Sequence, residues 1–310
     1  MPIVTSGARL RVAYVAETTP GTTPATPAFK QLPVTGGNLT ATKVASAVRI
    51  INSDRQFRDA PQAAQGATGT YNLAFAETHW DDMLAAALFG AWSTNVVQNG
   101  TTRQSFTLEE TEDTGGGTFV YSRYPMSFLE QFQLDITAGK EITGSASFWA
   151  QKEIKDTAIV VGATYAAPAN TPVMSAGVSP ILTSILGLTT PKIKSIKLSI
   201  KNTLRSRYVV DQLYSFDPGE DLSEITGSVD VYVDSNAAMT AVLSHTLGAI
   251  NFKIGNASSH RYQFNMPNCV PLDGRRSISG ANADGMVTIP FQALWDSVTG
   301  AQLIVTRATS

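Results

Sequence analysis

The stretch GATGTYNLAFAETHWDDMLAAALFG, residues 66–90, has the pattern of one strand that leads into one helix. Its large apolar residues Tyr71, Leu73 and Phe75 alternate with smaller or polar ones, which is the period of a half-buried strand. The apolar residues that follow fall at helical spacing: Trp80, Met83, Leu84, Ala87 and Leu88. The stretch therefore predicts a strand packed beside a short amphipathic helix.

Both ends of this helix carry sequence signals. Thr78 with Asp81 three positions later resembles a capping box, in which the side chains bind free backbone N–H groups. Gly90 follows the last apolar residue, and glycine commonly ends a helix in the left-handed conformation. We expect the helix to lie between Thr78 and Gly90.

The same order of features returns 158 positions later, beginning at Gly227. The alternating strand residues are Val229, Val231 and Val233, and the helical stripe is Ala238, Met239, Val242, Leu243 and Leu247. Ser235 can cap this second helix and Gly248 can end it. Gly90 lies 21 positions after Gly69, and Gly248 lies 21 positions after Gly227. This shared spacing predicts a tandem duplication.

The duplication divides the 310 residues into two units, each long enough to bury a core. Residues 1–155 form the first unit with an N-terminal arm, and residues 191–310 form the second. Residues 156–190 are rich in Pro, Ala, Gly and Thr and predict a linker. Each unit is mostly antiparallel strand with one prominent helix. The predicted fold class is mostly β, with β-sandwich or barrel domains that are each flanked by one α-helix.

The composition limits the classes of partner. Hydrophobic residues make up 43% of the chain and charged residues only 15%, so uncharged residues must cover much of the surface. Such a surface suits a protein that buries its faces against neighbouring subunits. The formal net charge is −2, whereas tight sequence-independent binding of nucleic acid requires many Lys and Arg side chains. We therefore expect no strong grip on DNA, although DNA can pass nearby.

The sequence offers little for catalysis or metal binding. The single cysteine, Cys269, excludes an internal disulfide and a multi-cysteine zinc site, and it predicts a small buried hydrophobe. The histidines are isolated, and no nucleophile elbow, P-loop or dinucleotide fingerprint occurs. The acidic residues Glu109, Glu110, Glu112 and Asp113 lack the spacing of a calcium loop, so we interpret them as a solvated turn between two strands. No enzyme activity, cofactor or metal is expected.

The first 35 residues predict an extended segment. Residues 11–16 form a short strand-like run, and four prolines lie between Pro20 and Pro33. The segment is either a mobile tail or an arm that lies on a neighbouring subunit. The N-terminus lacks the apolar core of a signal peptide, and no apolar run approaches the ~20 residues of a membrane span.

A long polar loop precedes the glycine-led strand in each half. The first loop follows the β-leaning residues 39–51, and the second follows a run in which Ile196, Leu198 and Ile200 alternate with polar residues. Loops of this length inside a compact domain are usually functional or disordered.

With these elements placed, the chain resembles the tail tube, or major tail, proteins of long-tailed bacteriophages. The resemblance rests on GARLRVAYVAETTPGTTPATPAFKQLPVTGG, residues 7–37, on SAVRIINSDRQFRDAPQAAQGATGTYNLAFAETHWDDMLAAAL, residues 46–88, and on the later strands. It covers nearly the whole chain and is most specific in residues 17–27, 51–58 and 66–88. It implies a β-sandwich flanked by a helix, with no active site.

Members of this family form stacked rings around a lumen through which the viral DNA leaves the head. Their rings present six tube domains, so a chain with two complete domains implies a ring of three chains with pseudo-sixfold symmetry. If the second half is instead an outer decoration, six chains are needed. The implied partners are further copies of the chain, the tape measure protein and the tail terminator, and the implied location is the virion tail, assembled in the host cytoplasm. Lumen-facing residues should be polar and not strongly basic.

Family members bridge successive rings with long loops, which makes the two polar loops the candidates for this contact. Their charged residues are Arg55, Arg58 and Asp59 in the first loop, and Asp217, Glu220 and Asp221 in the second. The opposite tendencies of the two sets predict salt-sensitive stacking.

The competing interpretation is a β-sandwich binding module of the carbohydrate-binding or adhesin type. Such a module needs an exposed aromatic platform or a cation site. Trp80, Trp149 and Trp295 lie on apolar faces and are predicted to be core residues, which argues against a platform.

Overall fold

The computed structural model describes residues 6–177, 181–188, 191–234, 236–255, 260–278, 281–282 and 284–308. After a short 3-10 turn at Gly7–Arg9, the elements in chain order are β1 (Leu10–Ala16), β2 (Ala28–Gln31), β3 (Val34–Ala45), β4 (Gln62–Ala74), α1 (Asp81–Ala87), β5 (Val96–Gln98), β6 (Phe106–Gly115), β7 (Thr118–Thr137), β8 (Thr143–Ala150), β9 (Ile154–Asp156), β10 (Thr164–Ala166), β11 (Ile181–Ile185), β12 (Ile193–Lys201), β13 (Arg205–Arg207), β14 (Asp217–Gly219), β15 (Glu224–Tyr232), α2 (Ala237–Leu243), β16 (Gly248–Gly255), β17 (Arg261–Pro271), β18 (Arg275–Ser277), β19 (Met286–Ala293) and β20 (Ile304–Ala308). The predicted mostly-β fold class is confirmed.

One long antiparallel sheet runs through both halves of the chain. Its strands follow the order β3, β4, β8, β7, β12, β15 and β19. The two halves meet where β7 pairs with β12, with Leu134 opposite Leu198. The sheet therefore passes from one half to the other without a break.

Strand β7 belongs to two sheets. Its first part pairs with β6 and β9, and its second part pairs with β8 and β12. Beyond β6, the second sheet continues through β1, β2 and β10. The two sheets form a sandwich around the apolar core of the first half.

The second half has its own hairpin and is also linked to the first half. Strands β16 and β17 pair with each other, and β17 also pairs with β19 and β20. Strand β5 of the first half pairs with β20, with Val97 opposite Val305. Residues 156–190, predicted to be a linker, contribute β10, which pairs with β2, and β11, which pairs with β16. The predicted domain boundaries stay a prediction.

Matching strands occupy matching places in the two halves. The order β3, β4, β8, β7 corresponds to β12, β15, β19, β17. A Cβ atom on Gly69 would lie 2.1 Å from the Asn38 carbonyl oxygen, and one on Gly227 would lie 2.2 Å from the Lys197 carbonyl oxygen. Both positions require glycine because the neighbouring backbone is close. This common plan supports the tandem duplication, which stays a prediction.

The buried face of α1 agrees with the helical spacing, but the predicted cap is wrong. The residues of the predicted stripe are all buried: Trp80, Met83, Leu84, Ala87 and Leu88. Trp80 is the N-cap residue, and its side chain makes no capping hydrogen bond. The Asp81 carboxylate instead accepts a hydrogen bond from the Tyr262 hydroxyl at 2.6 Å and pairs with Arg307. Asp81 therefore connects the helix to the second half.

The predicted left-handed conformation at Gly90 is also wrong. Phe89 takes that conformation, with φ 48°. A Cβ atom on Gly90 would lie 2.4 Å from the Gln98 carbonyl oxygen, so the glycine is required by close approach of the chain.

Helix α2 is less buried than its stripe predicts. Ala238 and Val242 are buried, but Leu243 is 78% exposed and Leu247 is 54% exposed. Gly248 begins β16 and does not end the helix. Ser235, the predicted cap, lies outside the described residues.

The N-terminal segment is partly held in the sheet, whereas the acidic run differs from its prediction. The strand predicted at residues 11–16 is confirmed as β1, which pairs along its length with β6, and β2 pairs with β1, so these two strands are not a mobile tail. Contact of the segment with a neighbouring subunit stays a prediction. Glu109 and Glu110 lie inside β6 and are 0% and 5% exposed, whereas the turn falls at Gly116 and Gly117. The acidic run is therefore not a solvated turn.

Three further burial predictions are confirmed and one is wrong. Trp80, Trp149 and Cys269 are buried. Trp295 is 62% exposed because β19 ends at Ala293, two residues before it. Within the described ranges, no helix combines the length and the hydropathy that a membrane span requires.

Candidate functional site

One face of the long sheet is covered by hydroxyl and amide side chains. Because side chains alternate along a strand, the apolar set packs on the core and the polar set faces outward. The polar set is Asn38, Thr40, Thr42, Thr68, Thr70, Asn72, Gln131, Gln133, Ser145, Ser147, Ser199, Thr226, Ser228, Thr288 and Gln292. The hydroxyls of Thr70 and Ser147 share a hydrogen bond of 2.8 Å, and Gln131 donates to Ser199 at 2.8 Å across the junction of the halves. We call this surface the polar face.

The charges on the polar face oppose one another. Lys197 lies opposite Asp135, and Lys201 lies opposite Glu224. Asp230 accepts hydrogen bonds from the hydroxyls of Ser195 and Thr288. These charged residues do not make the polar face a basic surface.

The two long loops expose apolar side chains as well as charges. Strand β3 ends at Ala45, before the predicted residue 51, so we call residues 46–61 the first loop. We call residues 202–223, which include the short strands β13 and β14, the second loop. Ile51 is 101% exposed and Val210 is 99% exposed. The other exposed apolar residues of the two loops are Val48, Ile50, Phe57, Tyr208, Val209, Leu213, Phe216 and Leu222. Only the charged residues of the two loops were predicted from the sequence, and these apolar ones were not.

The candidates in the first loop lie at the surface. Arg58 pairs with Asp54 at 2.9 Å, and the Asp59 carboxylate accepts a hydrogen bond from the Ala60 N–H at 2.7 Å. Arg55 is exposed and has a left-handed backbone, with φ 58°. These side chains are accessible to another molecule.

Two candidates in the second loop form ion pairs within the chain. Arg103 lies 3.0 Å from the Asp217 carboxylate and 3.5 Å from that of Glu220. Asp221 is exposed. Arg103 was not predicted from the sequence, since its surroundings, TTRQS, carry no motif. Among the described residues, Asp221 is therefore the acidic candidate of the three that makes no ion pair.

The second loop packs on the first half of the same chain. The Gln65 N–H donates to the Leu213 carbonyl at 2.8 Å, and Gln65 forms an isolated parallel β-bridge with Tyr214. The indole N–H of Trp149 donates to the Ser206 hydroxyl at 2.9 Å. The structure thus brings the second loop to the base of the first loop.

The free edge of β3 is closed by side chains. The Leu39 N–H donates to the Glu110 carboxylate at 2.9 Å, and the Tyr124 hydroxyl donates to the Leu39 carbonyl at 2.9 Å. Glu110 also accepts a hydrogen bond from the Tyr71 hydroxyl at 2.6 Å. Burial raises the pKa of Glu110 and outweighs the opposite effect of these hydrogen bonds. The opposite end of the long sheet is open, because β18 is paired on one side, with β19, in the described part of the chain.

The buried acidic residues have partners within the chain. Arg123 donates to Glu109 at 2.7 Å, and Tyr165 donates to the same carboxylate at 2.6 Å. The Arg11 guanidinium lies 3.5 Å from the centre of the Tyr165 ring. These contacts hold β10 against the first half, and the described residues contain no group of three potential metal ligands.

These features define a class of protein. A neutral hydroxyl-rich sheet, two sheet ends and two long loops with apolar residues suit a structural protein that associates with copies of itself. The chain matches the family of the phage tail tube protein over residues 7–293 and belongs to that family. It is therefore a structural component of the phage tail, of a family that assembles into stacked rings. The chain matches no curated protein sequence.

Proposed function

We propose that three copies of this chain close into a pseudo-sixfold ring, and that stacked rings form the conduit for viral DNA. In this arrangement the polar face lines the lumen. Assembly takes place in the host cytoplasm, with the tape measure protein inside the tube and the tail terminator at its end.

The polar face is the observation that carries this proposal. Its outward side chains are mostly hydroxyls and amides, and Lys197 and Lys201 are balanced by acidic residues on neighbouring strands. A basic lumen would release counterions from DNA and hold it tightly. A neutral lumen lets the polyanion slide.

The joint between the halves supports a ring of three. Within the chain, β7 of the first half pairs with β12 of the second. From the strand correspondence we infer that, in the ring, the end formed by β17 and β18 lies beside β3 of the next chain, in the same relative position. Repeating this joint three times gives six tube domains and leaves no open sheet end.

Particle mass tests the stoichiometry. Purified protein is concentrated until it assembles, and the mass per ring is measured together with electron micrographs. We expect rings or tubes with three chains per ring. Six chains per ring would make the second half a decoration, and a strict monomer at high concentration would contradict self-assembly of the isolated chain.

Charge reversal tests the stacking of rings. The accessible basic residues Arg55 and Arg58, with Asp59, face the next ring and its acidic loop residues Asp217, Glu220 and Asp221. The double variant Arg55→Glu/Arg58→Glu should form rings that do not elongate into tubes, and rising salt should weaken stacking of the natural protein. Lys253→Glu on β16 is the control, because it reverses a charge outside both loops. Normal tubes from the double variant would remove these residues from the interface.

A further inference from the structure

The second loop packs on a surface of the first half that serves as a binding site for a loop, and we call this surface the seat. The seat is formed by Gln65 at the start of β4 and by Trp149 and Gln151 at the end of β8. The Gln151 side chain donates to the Ser215 carbonyl at 2.9 Å, in addition to the hydrogen bonds of Gln65 and Trp149. The loop that fills this seat comes from the other half of the molecule.

The second half contains the equivalent seat, and no loop of the described residues fills it. Gly69 lies opposite Phe148, and Gly227 lies opposite Phe291. By this register Ser223 corresponds to Gln65. In the same way, Gln292 corresponds to Trp149. A groove of about 480 Å³ lies at this position, and its lining includes Leu222, Ser223, Glu224, Gln292 and Trp295. We call it the second-half groove.

The groove has the properties of a surface that lacks its partner. Leu222 is 85% exposed and Trp295 is 62% exposed, although both are large and apolar. The Ser223 hydroxyl oxygen is buried and has no hydrogen-bond partner among the residues that the structure describes. A buried polar group without a partner is unfavourable, so a polypeptide that supplies one is stabilised there.

We propose that the second-half groove binds the first loop of a second copy of the chain. The inference rests on the ring proposed above, because a ring of three repeats each contact between halves as a contact between chains. Within the chain, Gln65 and Tyr214 form an isolated β-bridge. At the equivalent positions of the repeat, this β-bridge becomes a contact between Ser223 and Gln56 of the next copy.

The chemistry of the first loop fits the groove. Ile50 is 58% exposed and Phe57 is 65% exposed, so both can cover Trp295. The basic residue Arg49 of the loop is exposed, and the groove carries the exposed acidic residue Glu224; neither belongs to the residues proposed to contact the next ring. Apolar contact at the centre with charge complementarity around it is the usual anatomy of an interface.

Disulfide trapping tests the contact. The variant Gln56→Cys/Ser223→Cys is assembled, treated with a mild oxidant and run on a denaturing gel without reductant. We expect linked dimers and trimers. The natural Cys269 is 0% exposed, and burial raises the pKa of its thiol, so it should not react.

Two controls fix the interpretation. Gln65→Cys/Tyr214→Cys should form a disulfide within one chain, because these residues already form a bridge. Gln56→Cys/Val161→Cys places the second cysteine at a residue that is 85% exposed, as Leu222 is, but lies outside the groove, and it should give no linked trimers.

The outcomes separate this inference from the proposed ring. Rings that form while Gln56→Cys/Ser223→Cys gives no more linked product than the Val161 control would overturn the groove contact and leave the ring standing. No association of any variant, or of the natural chain, would overturn both. Trp295→Ala should raise the concentration needed for assembly at least about tenfold without loss of fold, and an unchanged concentration would also contradict the contact.

Discussion

The matching strands β3 and β12 use different hydrogen-bond partners for the backbone N–H and C=O groups of their outer edges. The edge of β12 is paired with β7, with Leu198 opposite Leu134. No strand of the described residues pairs with the corresponding edge of β3, where Leu39 hydrogen-bonds to the side chains of Glu110 and Tyr124 instead. The outer edges of these two equivalent strands are therefore covered by a paired strand in the second half and by side chains in the first.

The hairpins behind these strands differ accordingly. The first-half hairpin of β6 and β7 carries the buried polar residues Glu110 and Tyr124. The second-half hairpin of β16 and β17 carries Phe252 and Phe264, whose rings stack with centroids 5.2 Å apart. In the first half, buried polar side chains hydrogen-bond to the edge of β3, which lacks a paired strand. In the second half, the edge of β12 is paired with β7, and the hairpin carries an apolar pair instead.

The comparison bears on assembly. Open strand edges pair readily with other chains, and side-chain covers are one way to prevent this. A cover made of side chains can be removed more easily than a paired strand. The edge of β3 can thus be protected in the free subunit and still become available when β17 and β18 of another copy approach in the proposed ring.

Proline substitution at the two matched leucines should give the largest difference. Leu198→Pro breaks pairing in a strand with neighbours on both sides and removes a buried side chain, so we expect a loss of about 5 kcal/mol or more, or no folding. Leu39→Pro also removes a buried leucine side chain. At the edge of β3 it breaks one hydrogen bond, to a carboxylate, and the loss of that hydrogen bond costs about 1.5–3 kcal/mol. Denaturant unfolding measures both, and equal losses would mean that the two edges are not satisfied differently.

Substitution of Glu110 should have an intermediate effect. Glu110→Ala leaves the Leu39 N–H and the Tyr71 hydroxyl buried without their acceptor, so we expect a loss of about 2–4 kcal/mol. Glu110→Gln keeps an acceptor oxygen in the same place and is the matched control, with an expected change in unfolding free energy below about 1 kcal/mol. Calorimetry or denaturant unfolding distinguishes the two. Equal stability of both variants would show that the cover of β3 contributes nothing.

The sequence predicts most of the sheet because alternation is a local property. Tyr71, Leu73 and Phe75 are buried as their spacing indicates, and the same holds for the apolar residues of β12, β15 and β19. The glycines Gly69 and Gly227 also mark the places where strands approach closely. Local pattern fails where the partner is distant in sequence. Asp81 has the signature of a helix cap, but its partners Tyr262 and Arg307 lie in the other half.

The candidate site was predictable only in part, for the same reason. The loops could be located, but the sequence could not show that Arg103 holds Asp217 and Glu220, since the loop geometry brings them together. An acidic run such as residues 109–113 ordinarily indicates solvent exposure. Here Glu110 is buried because the edge of β3 needs an acceptor, and this need arises only once the sheets are packed. The second-half groove depends on register and has no sequence signature.

The pH dependence of stability should show the smallest effect that still separates the two edges. Burial raises the pKa of Glu110 above its ordinary value of 4.5, so the folded state binds a proton where the unfolded state has lost it. The resulting stabilisation is fully present below pH 4.5 and is lost as the pH rises through the raised pKa. Glu110→Gln cannot titrate, so the natural chain should lose stability relative to this variant across that window, with a slope of at most about 1.4 kcal/mol per pH unit. Other groups titrate in both proteins and cancel in the difference. Parallel stability curves for the two proteins would show that Glu110 has the same pKa in the folded and unfolded chains, and that the cover of β3 is exposed to water.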